Sequence, residues 1–167
     1  MLMYLNGEEN TKNTPDENLA RELQELFTIG KEVPTENRYT EGDVKEIAKV
    51  LTGHKGCKKT NYLDAEYHFV HEDHVPNDKQ LSAFYSQAVI KGKNIADNTS
   101  GEDELNQLID IIFDNKDRSI RTLAGTTFEN YTRSEIIAEH IVRKLYRFFV
   151  YYEIDTETQD SVIKPLV

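Results

Sequence analysis

Apolar residues recur at helical spacing in several stretches of this chain, and capping residues mark where most of these stretches begin. Residues 14–17 read Thr-Pro-Asp-Glu, which combines a capping threonine, a proline in the first turn and early acidic side chains. This stretch predicts a helix that starts at 14 and closes at Gly30. Thr40 with Asp43 predicts a second helix, which closes at Gly53.

Three more helices are predicted in the second half of the chain. One begins at Ser100, and a longer one begins near Thr132 and runs through Tyr152. The last runs from Thr156 to Val167.

Shorter elements lie between these helices. Residues 60–75 lack apolar residues at helical spacing and favour a small β-hairpin. Phe84 and Tyr85 suggest a short helix, and Ile120–Leu123 suggests a helical turn. We therefore expect a mainly α fold, an irregular helical bundle with one hairpin near 60–75. A single domain should cover 1–167, because no linker or repeat divides the chain.

The second half of the longest predicted helix is aromatic nearly all round. The aromatic residues there are Tyr146, Phe148, Phe149, Tyr151 and Tyr152. A helix that is apolar on all sides is normally buried on all sides. We interpret Leu145 and Phe149 as the centre of the core.

Charge restricts the classes of partner. The 167 residues include 30 acidic and 20 basic side chains, a formal net charge of -10, which disfavours nucleic acid and anionic membranes. One basic cluster runs against this trend and is interpreted as a solvated turn; its members are His54, Lys55, Lys58 and Lys59. The single cysteine, Cys57, excludes an internal disulfide, and no window is apolar enough for a membrane span.

Three histidines within seven residues invite a zinc site. In an extended segment His68 and His74 point to one side and His71 to the other, so the three imidazoles do not converge. We predict no metal site there. No phosphate-binding glycine loop, Ser-His-Asp order or HExxH motif is present, and no cofactor is predicted.

The polar face of the first helix is the other candidate for chemistry. Arg21 and Glu22 lie there with further carboxylates, and this grouping could bind a ligand or perform acid/base work. The alternative is a set of ordinary helix ion pairs, Glu17 with Arg21 and Arg21 with Glu25, each contributing about 0.2–0.5 kcal/mol.

Two long phrases identify a resemblance. The phrase NTPDENLARELQELFTIG at 13–30, followed by YTEGDVKEIAKVLTG at 39–53, resembles the bacterial family known as domain of unknown function 1800. HVPNDKQLSAFYSQAVIKG at 74–92 and IVRKLYRFFV at 141–150 are similar to two later segments of that family. The chain keeps His74 and Lys79 of the family's His-Asp-x-Gly-x-Lys segment, with Val75 in place of the aspartate.

The resemblance implies a location and a context, but no activity. It implies an exported bacterial protein of the periplasm or cell surface, and members several hundred residues long. We therefore expect this chain to be an interior piece of a longer protein. The apolar residues at 1–5 and 162–167 favour the same reading, because such ends normally pack against something.

Two functions remain open from the sequence. The leading hypothesis is a non-catalytic helical scaffold or interaction module, with the missing flanking parts of its own chain, another exported protein or a second copy as partners. The alternative is a hydrolase acting on surface polymers, with Arg21, Glu22, His74 and Lys79 as candidate catalytic residues. The sequence leaves its substrate unnamed.

Overall fold

The computed structural model describes residues 9–31, 38–56, 67–92, 101–117 and 131–167. Within these ranges the chain is mainly α-helical, with two small antiparallel hairpins, which confirms the predicted class. Its packing as a bundle stays a prediction. The helices are α1 Glu17–Glu25, α2 Glu41–Val50, α3 Glu102–Ile112, α4 Arg133–Phe149 and α5 Thr156–Thr158; the strands are β1 His54–Gly56, β2 Tyr67–Phe69, β3 Lys79–Gln80 and β4 Val89–Ile90.

Contacts group the chain into two compact units, each built from two segments. The first unit contains Met1–Glu22 and Tyr39–Ile111, and the second contains Leu23–Arg38 and Ile112–Val167. The prediction of one domain over the whole length stays a prediction. None of the helices in the described ranges has the length and apolar character that crossing a membrane requires.

Two helices begin where their capping residues predict. The Asp43 amide donates to Thr40 Oγ1 at 3.2 Å and the Thr40 amide donates to the Asp43 carboxylate at 2.6 Å, which completes a capping box ahead of α2. Thr132 and Glu135 make the same reciprocal pair ahead of α4, at 3.2 and 2.7 Å. These signals are local, and both predictions are confirmed.

The predicted bounds of α1 are wrong at both ends. Asp16, not Thr14, caps the helix, because its carboxylate accepts from the Asn18 amide at 2.8 Å. The helix ends at Glu25. A turn follows, in which the Gly30 amide donates to the Gln24 carbonyl at 2.8 Å. Gly30 has φ +84, which favours glycine.

The first hairpin begins earlier than predicted. β1 pairs with β2, placing Lys55 opposite His68, so only its second strand falls within 60–75. β2 is followed by a 3₁₀ turn at His71–Asp73. Gly53, at φ +81, carries the chain from α2 into β1 and donates its amide to the Asn10 carbonyl at 3.3 Å.

A second hairpin, absent from the sequence prediction, pairs β3 with β4. The short helix expected around Phe84 is a single 3₁₀ turn, Ala83–Tyr85, between these strands. Asp43 holds this turn, because its two carboxylate oxygens accept from the Ser82 amide and hydroxyl, each at 2.7 Å. One carboxylate therefore caps α2 and anchors the hairpin.

The C-terminal part of the second unit folds back on α4. α4 ends at Phe149, three residues before the predicted end at Tyr152. The predicted last helix is a composite: α5 continues into a π-helical turn, Gln159–Ile163, and a 3₁₀ turn, Lys164–Leu166, both packed on α4. The helical turn predicted at Ile120–Leu123 lies outside the described residues.

Each unit buries its own apolar residues. In the first unit these lie mainly on α1 and α2 and beside the second hairpin; they include Leu19, Ala20, Val44, Ile47, Ala48, Leu81, Tyr85, Ile90 and Leu108. Among the described residues of the second unit, the buried apolar ones are Leu23, Ile29, Ile112, Ile136, Ile137 and Ile163. The helices therefore bury apolar residues at helical spacing, but Leu145 and Phe149 of α4, predicted as core, are not among them.

Candidate functional site

The first unit contains a buried polar cluster centred on one carboxylate. Glu104, in the first turn of α3, accepts from His74 Nε2 at 3.1 Å on one oxygen and from Lys79 Nζ on the other. All three side chains are almost fully buried. We call these residues, together with Thr52, the Glu104 cluster.

Thr52 joins the cluster to the end of α2. The Thr52 carbonyl accepts from His74 Nδ1 at 2.8 Å, and the Thr52 hydroxyl accepts from the Val75 amide at 3.0 Å. Lys79 Nζ also donates to the Val75 carbonyl at 2.6 Å. Both ring nitrogens of His74 thus lie within hydrogen-bond distance of an oxygen atom.

The electrostatics of the Glu104 cluster reflect competition between burial and pairing. Burial alone would raise the pKa of the Glu104 carboxyl group, but hydrogen bonds from His74 and Lys79 outweigh it, and the pKa lies below its usual value. Burial lowers the pKa of Lys79, against the opposing effect of Glu104. The two hydrogen bonds therefore favour the ionised form of the Glu104 carboxylate.

The cluster joins three parts of the first unit. It connects the end of α2, the segment that leads into β3, and the start of α3. Lys79 is fully buried, and both ring nitrogens of His74 lie within hydrogen-bond distance of oxygen atoms of the cluster. The arrangement is suited to fixing these segments in place.

The four residues proposed for hydrolysis occupy different settings. His74 and Lys79 meet at Glu104. Arg21 makes a two-pronged ion pair with Glu41, at 2.8 and 2.7 Å, and lies 4.0 Å from Glu17. Glu22 is half-buried on α1. A catalytic role for the four stays a prediction.

Other polar residues singled out in the sequence also have structural partners. Lys55 is buried, donates to the Asn10 carbonyl at 3.1 Å and pairs with Asp73 at 3.4 Å, so it does not lie in a solvated turn. His54 is buried as well, with Nδ1 2.8 Å from the Tyr67 hydroxyl oxygen. The expectation of a solvated turn is therefore wrong for His54 and Lys55. Lys58 and Lys59 lie outside the described residues, as does Cys57.

The surroundings of His54 keep its ring neutral. Burial lowers the pKa of His54 to about 4, and the nearby charge of His74 adds to this effect. The rings of His54, His71 and His74 surround Phe69, with centroids 4.9–5.1 Å from its centre. The histidines thus pack around an aromatic ring, and the described ranges contain no group of three His, Cys, Asp or Glu side chains placed to hold a metal ion.

Sequence reasoning missed Glu104, which the structure places at the centre. A signal was available: Glu104 shares a helix face with Leu108 and Ile112, at steps of four, and both of these are fully buried. A carboxylate on the buried stripe of a helix requires a cationic partner. Lys79 and His74 were candidates for that partner.

The second unit carries an apolar groove at the end of α4. The groove encloses about 300 Å³ and is lined almost entirely by apolar atoms of α4 and of the C-terminal turns. We define the α4 surface as the exposed residues around it: Leu145, Phe148, Phe149, Val150, Val162 and Leu166. Phe148 joins this surface through its ring, which meets Phe149 edge to face at 4.8 Å.

The interpretation of these aromatics as core is wrong. Leu145 is 51% exposed, Phe149 75% and Phe148 81%. The buried residues of α4 all belong to its first half, and the C-terminal turns pack beside the second half. The aromatic end of α4 is therefore an open surface of the second unit, larger than the isolated exposed apolar residues normal for a protein surface.

Comparison with known proteins supports one family and adds no activity. The family model described as "Protein of unknown function (DUF1800)" matches residues 1–166. No curated protein and no solved structure matches the chain. Because the match runs from the first residue almost to the last, the chain belongs to the DUF1800 family of proteins of unknown function.

Proposed function

We propose that this protein is a helical interaction module that binds other protein surfaces through the α4 surface, as part of an exported bacterial protein. The observation that carries the proposal is the exposure of Phe148 and Phe149 beside an apolar groove. Large aromatic side chains left open to water favour burial against a partner, because removing apolar area from water stabilises by about 25 cal/mol per Å². Export rests on the family resemblance.

The chemistry of the polar groups supports the same proposal. The ionisable side chains of the Glu104 cluster are buried and hydrogen-bonded to one another. Groups placed in this way stabilise a scaffold. The α4 surface, in contrast, has its apolar groups exposed, which is what binding to a partner requires.

A hydrolase with Arg21, Glu22, His74 and Lys79 is the competing proposal. The shared carboxylate of His74 and Lys79 is the observation in its favour. Hydrolysis at that position would require the side chains to become accessible to solvent. Retention of any hydrolytic activity in a Lys79→Met variant that remains folded would exclude a catalytic role for this lysine.

The test of the interaction module uses the dye 8-anilinonaphthalene-1-sulfonate, which fluoresces in apolar sites. The dilute protein should enhance its emission, and Leu145→Asp or Val162→Asp should abolish the enhancement, because each charge enters the groove. Val89→Asp is the matched control, since Val89 is a similarly exposed apolar residue in the first unit. Equal emission from the parent protein and both groove variants would contradict the proposal.

A further inference from the structure

The C-terminal turns of the second unit form one wall of the groove. We call residues 156–166 the strap; they comprise α5, the π-helical turn and the 3₁₀ turn after it. The strap contributes three lining residues, Val162, Ile163 and Leu166. Val142 and Tyr146 of α4 also line the groove and are half-buried. The strap therefore covers part of the apolar face of α4.

The strap is attached to α4 by little buried apolar surface. Ile163 is fully buried, whereas Val162 and Leu166 on either side of it are exposed. The groove of about 300 Å³ remains between the strap and the helix. Segments that bury few apolar groups open locally at a lower free-energy cost than the core of the same protein.

The helical turns of the strap depend on this attachment. They span three, five and three residues, and an isolated helix shorter than roughly 12–15 residues is marginal in water. Residues 151–155, which belong to no helix or strand, join the strap to α4, and Tyr151 and Tyr152 are exposed there. A strap detached from α4 should therefore lose its turns while α4 keeps its own.

A polar latch holds the strap closed. Gln159 Nε2 donates to Glu139 Oε1 at 3.0 Å, and Arg143 donates to the side-chain oxygen of Gln159 and, at 3.5 Å, to Glu139. Glu139, Arg143 and Tyr146 follow one another at steps of four and three, so the latch and the groove share one face of α4. When the strap opens, water replaces Gln159 at both charged groups, and neither is left in an apolar site.

We propose that the strap is a movable cover of α4: it opens as a unit while α4 stays folded, and the bond between Glu139 and Gln159 controls how often it opens. Opening uncovers Val142 and Tyr146 beside Leu145, which is already exposed, and so enlarges the apolar face that can bind a protein surface. This inference rests on the proposed interaction module and names the regulation of its site.

Hydrogen exchange followed by mass spectrometry tests the inference. In the parent protein the amides of the strap should exchange faster than those of residues 136–140, the buried first half of α4. Gln159→Leu removes the latch, and Ile163→Ala removes the buried apolar anchor without touching the charge of Glu139. Each should accelerate exchange in the strap roughly tenfold or more, and leave residues 136–140 as in the parent.

Ser161→Ala is the matched control within the strap. Ser161 is exposed, and its hydroxyl donates to the Glu157 carbonyl at 2.7 Å, inside the strap itself. This variant should exchange like the parent. Equal acceleration of the strap and of residues 136–140 in both test variants would overturn the inference, because the two would then open together. A strap that responds to Ile163→Ala but not to Gln159→Leu would overturn the role of the latch.

Dye binding separates this inference from the interaction module. Dye emission that depends on Leu145, together with a strap that exchanges no faster than residues 136–140, would overturn the movable cover and leave the module intact. Emission that Leu145→Asp does not reduce would contradict the module, and selective exchange of the strap would then still show that it opens.

Discussion

Lys79 donates a hydrogen bond to a carboxylate oxygen of Glu104, and both side chains are buried. The two residues lie 25 positions apart, at the start of β3 and in the first turn of α3. Each charge has lost most of its contact with water, and the partner compensates for that loss. The pair therefore fixes two elements that have no local connection.

Replacing Lys79 by methionine should destabilise the protein strongly. The variant keeps roughly the length of the side chain but leaves Glu104 with His74 as its remaining hydrogen-bond partner in the cluster. Breaking a buried pair from one side costs roughly 3–5 kcal/mol. Urea denaturation of Lys79→Met should show this loss in the free energy of unfolding.

The control is an ion pair of the same type at the surface. Lys91 pairs with Asp78 at 2.6 Å, and both side chains are largely exposed. Lys91→Met should leave the unfolding free energy nearly unchanged, because solvent screens that pair. Equal losses in Lys79→Met and Lys91→Met would show that the Glu104 cluster is not a structural link.

The sequence predicts those features whose causes are local. The capping boxes at Thr40 and Thr132 are set within four residues, and both appear in the structure. The convergence on Glu104 is set by how α2, β3 and α3 pack, so spacing along the chain does not show it. The sequence singles out His74 and Lys79 as candidates, but it does not show that both contact the carboxylate of Glu104.

Acidification should destabilise the protein first through His54. Its pKa is lowered from 6.5 to about 4 in the fold, so between these values the unfolded state binds a proton that the folded state does not. The contribution of His54 to the free energy of unfolding is fully present above about pH 6.5. It is lost as the pH falls toward 4, and the total loss is about 3 kcal/mol. Glu104 acts in the same direction at lower pH, because its pKa is also lowered.

Urea denaturation at pH 7 and pH 4.5 measures this loss. The His54→Phe variant, which has no group to protonate at this position, should lose less stability between the two pH values. His68→Gln, an exposed position on β2 of the same hairpin, is the matched control and should lose as much as the parent. An identical loss in His54→Phe would contradict the prediction.

Gly30 should not tolerate a side chain. Its φ of +84 is strained for other residues, and a Cβ atom would overlap the ring of His140. Gly30→Ala should cost roughly 1–3 kcal/mol from backbone strain, with the steric overlap in addition. Thermal unfolding of Gly30→Ala and of Gly30→Ala/His140→Ala separates the two effects, because the second variant removes the overlap and keeps the strain. No change in melting temperature for Gly30→Ala would contradict the assigned geometry.

The two halves of α4 should respond differently to the same truncation. Ile137 is 5% exposed, whereas Leu145 is 51% exposed, two turns later on the same helix. Removing a buried aliphatic side chain costs roughly 2–5 kcal/mol, since transfer and cavity terms add, and an exposed one leaves no cavity. Ile137→Ala should therefore lose several kcal/mol of unfolding free energy, and Leu145→Ala a small fraction of that.

The comparison requires protein dilute enough for single chains, because any pairing through the α4 surface would bury Leu145 and raise its contribution. A loss from Leu145→Ala as large as that from Ile137→Ala under those conditions would show that the aromatic end of α4 is covered within the chain, and the α4 surface would then no longer be available to a partner.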